Sequence, residues 1–571
     1  MSEANFTFDS LGYTRPNASK IAKKSKEWLR RVRKAKDFSE IAAVIKEQDT
    51  FLKQLDTAVS IAHIRHTVNT ADEFYDAEMA YIRRKLPVLS VGFFKIAKAL
   101  VQSPFRKQID ETFGAEYCKS TELQLKAFTA KNVSLLQKES KLTSEYEKLM
   151  SAAQIPFRGE TLNLYGIQKY FTDPDRETRK AAFAAYSAFY ANLEPKLESI
   201  FDGLVKNRTK QAKNLGFATY TPLGYLNQGR TDYGKEEVAS FREQVKEYLV
   251  PVCEALYKAQ AKRIGVDKIM AYDEKFIFPD GNAVPAGDRE YLVEEARKMY
   301  RDISPETGAF IDFMIEHELM DLDNKPNKAS TGYCTDLPMY GAPFVFSCFN
   351  HTTSDVDVLT HELGHAFAGY EAMRAQELSV YAGVSTDIAE IHSMAMEQFA
   401  YPYAEQFFGE GADKYRFQHL QEAITFVPFG VAVDEFQHIV YENPSLTPKE
   451  RTACWRELEK KYMPWRAYAD DPFMERGGYW YHKLHIFQYP FYYINYTLTT
   501  MGAMEFKKRY AEDRERALRD YIALCRAGGS KSYLELLRLA ELSVPFEAGS
   551  VERAMSYAVG IVNEAIAKEN A

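Results

Sequence analysis

Two histidines four residues apart, with a glutamate after the first, dictate local fold here before any other feature does: His361-Glu362-Leu363-Gly364-His365. On a helix that spacing puts both imidazoles on one face, where they can share a single metal ion. Glu362 then sits beside the first ligand, placed to take a proton from a water that the metal activates. Zinc suits such a pair, because it takes imidazole nitrogen in a tetrahedral site and a catalytic zinc keeps its fourth position for water. The pKa of that water falls from about 15.7 to about 7, where a carboxylate can deprotonate it for attack on a carbonyl. With 11 His in 571 residues, chance supplies roughly 0.2 pairs at this spacing and about 0.02 with Glu in second place. A turn carrying two structural histidines therefore starts well behind.

The motif lacks a third ligand. One class of sites puts a His six residues after the second His and a Gly three after it, but those positions hold Glu371 and Ala368. The other class takes a Glu from a following helix, and Glu390 stands 25 positions after His365. Glu371 competes only by unwinding the helix end, and His392, two residues from Glu390, points elsewhere. Asp387, one turn before Glu390, either orients a ligand imidazole or is a plain surface or N-cap Asp. The motif helix is expected to open with Ser354 as N-cap and Asp355 and Asp357 in its first turn. Val356, Leu359, Leu363 and Phe367 would face the core. A decoy, His317-Glu318-Leu319-Met320-Asp321, has Asp where the second His belongs and reads as the polar side of an ordinary helix.

A chain of 571 residues exceeds the usual ~100–200 per domain, so more than one lobe is expected. Residues 20–150 read as successive amphipathic helices, and the division is drawn as 1–155, an N-terminal helical region, and 156–571, which carries the motif. A hairpin-like stretch follows Ile155, Asp173-Pro174-Asp175-Arg176 opens a long helix, and Phe276 to Gly281 is turn-rich. Strand patterning gathers between Gly332 and Phe349, so the fold is expected to be mostly α with a small β-sheet beside the motif helix. Residues 486–504 carry no charge but include Gln488, Pro490 and Asn495, which favours a buried cleft wall over a membrane span. Nine Lys or Arg in Lys20–Lys36 form a solvated helix face around Ile21, Trp28 and Leu29. A net charge of −7 gives no cause to invoke nucleic acid. Six scattered cysteines without a CxxC pattern, and a start without a signal pattern, lead us to expect reduced thiols in the cytoplasm.

With these motifs in view, the chain resembles the thimet oligopeptidase and oligoendopeptidase F family of zinc peptidases, more closely its bacterial oligoendopeptidase F branch. The resemblance runs over roughly 155–570 and rests on Lys328-Ala329-Ser330-Thr331-Gly332-Tyr333-Cys334, Pro343-Phe344-Val345-Phe346, the lead-in Ser354 to Leu359, and Asp387, Glu390 and Glu397 downstream. Val433 to His438 and the block from His485 to Tyr496 are also similar. It implies a two-lobed helical metallopeptidase with a deep substrate channel, one zinc per chain held by His361, His365 and Glu390, and Glu362 as the base. By the same resemblance a His and tyrosines of the 479–496 block lie across from the metal: His485 and Tyr496 first, then Tyr493, as donors to the oxyanion, with Tyr492 as a contact to substrate.

A strand edge beside the metal would hold an extended peptide through its backbone; Gly341, Ala342 and Phe344 are the expected contacts, unless that strand is interior. The expected activity is endopeptidase cleavage of short unfolded oligopeptides, with no nucleic acid or membrane partner. The alternatives are a non-catalytic zinc-containing peptide-binding protein and an exopeptidase with the same metal site.

Overall fold

The computed structural model describes residues 6–281, 283–329 and 331–569, the side chains of 87 and 88 excepted. Ser330 of the stretch quoted above, and residues 1–5, lie outside them. The chain is mostly helical. Helix α1 (Ala18–Lys34) buries Ile21, Ser25, Trp28 and Val32, spaced three and four apart, and leaves its basic residues on the other faces. Asp37 caps α2 (Phe38–Val68) by accepting from the Glu40 N–H at 3.1 Å. Trp28 and Val32 of α1 share one core with Ile41, Val44 and Ile45 of α2 and with Ile96 and Leu100.

The expected hairpin is present as β1 (Ile155–Phe157) and β2 (Glu160–Leu162), antiparallel. The long helix α3 (Arg176–Asn214) starts at the predicted place, capped by Asp175. Residues 486–504 are split: one helix ends at Gln488 and the next begins at Ile494. Among the described residues no single helix is long and apolar enough to cross a membrane.

A three-stranded sheet precedes the motif helix, in the order β3 (Met320–Asp321), β5 (Ala342–Phe346), β4 (Tyr333–Leu337). Here two expectations are corrected. The strand offered for substrate pairing, β5, is central: Val345 and Phe346 pair parallel with β3, and the whole strand pairs antiparallel with β4. All five of its residues are buried, which is why its apolar run is unbroken rather than alternating. Gly341, at φ 56°, makes the turn into it, and its carbonyl accepts from Arg374 at 2.7 Å. Gly341, Ala342 and Phe344 therefore offer no free edge; the outer strands of this sheet are β3 and β4. The second correction concerns the decoy. The helix before it ends at Glu316, Glu318 turns at φ 53°, and Met320–Asp321 is strand β3.

The chain packs as two compact units that interleave along the sequence. The first comprises residues 1–125, 283–413 and 502–542, and the second 126–282, 414–501 and 543–571. The sequence division at 155/156 follows chain order, whereas compactness groups the first 125 residues with the sheet and the histidine motif.

Candidate metal centre

The motif lies on α4 (Thr353–Ala375) in the first unit. Its start differs from expectation. The N-cap is Thr352, not Ser354, and only Asp355 falls in the first turn. Asp355 is buried and reaches back to accept from the N–H groups of Asn350 and His351, at 2.9 and 2.7 Å, which fixes the turn into the helix. Val356, Leu359, Leu363 and Phe367 are buried as predicted, so the histidine face is set by the opposite, core-anchored face.

The next helix, α5 (Thr386–Phe399), crosses against α4 at Gly364. A Cβ at that position would lie 2.7 Å from the Ser393 Cα, so only glycine permits this approach. The approach delivers Glu390. Its Oε2 is 3.3 Å from His361 Nε2 and 3.5 Å from His365 Nε2. The three ligand atoms lie within 4.8 Å of one another, and this is the metal-competent cluster found among the described residues. Ser393 Oγ donates to Glu390 Oε2 at 3.2 Å, steadying the carboxylate.

Neither rival joins the cluster. Glu371 is buried and paired with Arg526 at 2.7 Å. His392 is buried away, its pKa pulled down to about 3 by burial and then by His365. Asp387 is buried at the start of α5 and accepts from Ser385 Oγ. The group seen orienting an imidazole is Glu397, whose Oε1 lies 2.6 Å from His361 Nδ1. Facing a carboxylate, Nδ1 must carry the proton, which leaves the Nε2 lone pair for a metal. The signal for this part in the sequence is the spacing of seven between Glu390 and Glu397, two helical turns on one face.

Electrostatics fit a cation. Burial opposes charge on His361, but hydrogen bonds donated to the carboxylates of Glu390 and Glu397 outweigh it and raise the ring's pKa. Burial likewise opposes charge on Glu390, and the two imidazoles overcome it, pulling its pKa down. Glu362 is outside the ligand set, and its pKa is raised mainly by burial. It faces a cavity of about 380 Å³ lined also by His365 and by Tyr333, Cys334 and Asp336 of β4. The outer strand β4 and the glutamate thus border one space.

The tyrosine block lies in the second unit. His485 sits on a short helix, Leu484–Gln488, with its ring centroid 4.9 Å from Tyr493, 5.7 Å from Tyr492 and 6.0 Å from Tyr496. Burial, and then Lys483, lower the His485 pKa to about 4, so the ring is neutral at pH 7. Tyr493 is buried and accepts from Lys483 Nζ at 3.0 Å.

Comparison with known proteins gives a consistent result. A family model described as Peptidase M3 N-terminal domain matches residues 8–128, and one described as Peptidase family M3 matches 170–280 and 309–556. An oligoendopeptidase F homolog of Borreliella burgdorferi is 21% identical over 437 residues, covering 72% of each chain. A solved structure of PZ peptidase A with an inhibitor is 45% identical, with a TM-score of 0.88, over 98% of this chain and 99% of that one. A Bacillus anthracis structure described as an oligoendopeptidase F is 41% identical, with a TM-score of 0.83, over 99% of both chains.

Proposed function

The chain belongs to peptidase family M3 and is a peptidase; on that premise we propose that it is a zinc-dependent endopeptidase cutting internal bonds of short unfolded oligopeptides. One observation carries the reading: His361, His365 and Glu390 converge beside the half-buried carboxylate of Glu362. Two imidazoles and one carboxylate are the donor set of a catalytic zinc with one position open. Zinc held there would polarise the scissile carbonyl and bring the pKa of water to about 7.

The protein's own groups do the rest. Glu362 accepts the proton of the attacking water and passes it to the leaving amine, and a pKa raised by burial brings it closer to that task. Glu397 holds His361 in the tautomer that presents Nε2. Asp387 is assigned to orienting a ligand imidazole from the start of α5. His485, neutral and so a hydrogen-bond donor, and Tyr496 are assigned to the oxyanion, with Tyr492 and Tyr493 contacting substrate. The outer strand β4 takes over the backbone pairing first expected of Gly341 to Phe344.

The test is mass spectrometry of products from a peptide ladder of graded length, with and without a zinc chelator. Internal cuts that the chelator abolishes are expected, together with a Glu362→Gln protein that keeps its zinc and loses at least about 100-fold in turnover. Stepwise loss of one or two residues from an end would replace this reading with an exopeptidase. No cleavage by zinc-loaded protein would replace it with a peptide-binding protein.

A further inference from the structure

A cavity of about 940 Å³ lies within the second unit. Aromatic rings make up much of its wall, among them Tyr146, Tyr186, Tyr190, Phe426 and Phe429. One charge in that wall stands outside any ion pair. The Lys483 ammonium donates to Tyr493 Oη at 3.0 Å and stands 4.6 and 5.2 Å from the ring centroids of Tyr493 and Phe429. It has no ion-pair partner among the described residues. The lining carboxylates are elsewhere engaged or exposed: Glu274 is paired with Arg466 at 2.6 Å, Glu422 accepts from Gln418 at 3.2 Å, and Glu147 is exposed. Lys275, also on the lining, adds a second positive charge rather than a negative one.

A half-buried ammonium without a counter-ion is unfavourable, and ring faces with one hydroxyl offset only part of that cost. Burial first, and Lys275 second, pull the Lys483 pKa down to about 8, which leaves the group mostly charged at neutral pH. The hydroxyl that Lys483 engages accepts through its oxygen, so its own proton remains to be donated. Lys483 and Tyr493 thus present an N–H and an O–H side by side, a match for the two oxygens of a carboxylate. A peptide offers that group at its C-terminus and on Asp or Glu side chains.

The geometry points to a carboxylate subsite: Lys483 and Tyr493 bind a carboxylate of the peptide substrate in this aromatic cavity. The assignment rests on the peptidase reading above and narrows its substrate class to peptides bearing such a group. It separates the tyrosines by task, with Tyr493 holding substrate through Lys483.

Calorimetry on the zinc-loaded Glu362→Gln protein tests this without requiring turnover. A peptide with a free C-terminus is expected to bind about tenfold or more tightly than its C-terminal amide. A second pair, differing by one internal Gln or Glu, separates the sources: a preference confined to that pair makes a side-chain carboxylate the ligand. Adding Lys483→Met should bring the preference near one, and Lys483→Arg should retain it. If Lys483→Met does not fold, as judged by circular dichroism, Tyr493→Phe removes the neighbouring donor with the ring kept and should lower the preference. Equal binding within both pairs, or a preference that survives Lys483→Met, overturns the subsite. Failure of the peptidase reading would show separately, as absence of hydrolysis by the wild-type protein.

Discussion

His361 Nδ1 and Glu397 Oε1 stand 2.6 Å apart. The contact ties α4 to α5 two turns beyond Glu390, so one face of α5 supplies both a ligand and the group that aims another. Replacing Glu397 with Ala leaves all three ligand side chains in place but frees the ring. Zinc affinity is expected to drop about 10- to 100-fold. Competition against a chelator of known affinity measures it, and an unchanged affinity would remove Glu397 from the centre.

Gly364→Ala tests the close approach of the two helices. The added methyl would meet the Ser393 backbone at 2.7 Å, where no flexible side chain can yield. Helix α5 must move, at a stability loss of about 1–3 kcal/mol. Zinc affinity should fall along with it, because Glu390 rides on α5. Denaturant midpoints with and without zinc read both effects.

The oxyanion assignment predicts a kinetic signature. His485→Ala and Tyr496→Phe should each lower kcat by about 10²- to 10³-fold, with KM changed little and zinc content unchanged. A fall in kcat/KM carried wholly by KM would instead make these groups substrate contacts.

Asp336 of β4 carries a stability prediction with a definite sign. Burial raises its pKa from 3.8 to about 6. The folded protein therefore holds this proton more tightly than the unfolded chain does, and stability is lost as pH rises from about 4 through 6. Asp336→Asn removes the ionising group, so the variant should match wild type near pH 4 and exceed it by about 1–3 kcal/mol at pH 8. Unfolding midpoints at the two pH values decide it; a variant less stable at pH 8 would mean the charge has a partner in solution.

Much of the centre was legible because its parts are local. The spacing of His361 and His365 fixes a helix, and the distance to Glu390 fixes a second one. The start of α3 was equally plain from Pro174 and Asp175. What escaped depends on pairing and packing that no single segment records. Strand β3 is two residues long and follows a helix directly, so its pairing with Val345 and Phe346 leaves no pattern of its own. Whether the strand beside it is an edge or interior stays open in the sequence, although the unbroken run Ala342 to Phe346 is what burial on both faces produces. Ser354 looks like a cap, but Asp355 draws the preceding turn onto itself and moves the helix start to Thr353. The isolated charge of Lys483 becomes visible only when the cavity around it is assembled.

The interleaving of the two units bears on how this protein is made. On the ribosome the first 125 residues emerge long before residues 502–542, which belong to the same compact unit. At about 5–20 residues per second, a gap of about 400 residues is a wait of roughly 20–80 s. For much of that interval, until Leu378 and Tyr381 are made, the Trp28 core must hold without them or be shielded by a chaperone. A nascent chain stalled midway through synthesis would therefore be the most aggregation-prone form of this molecule.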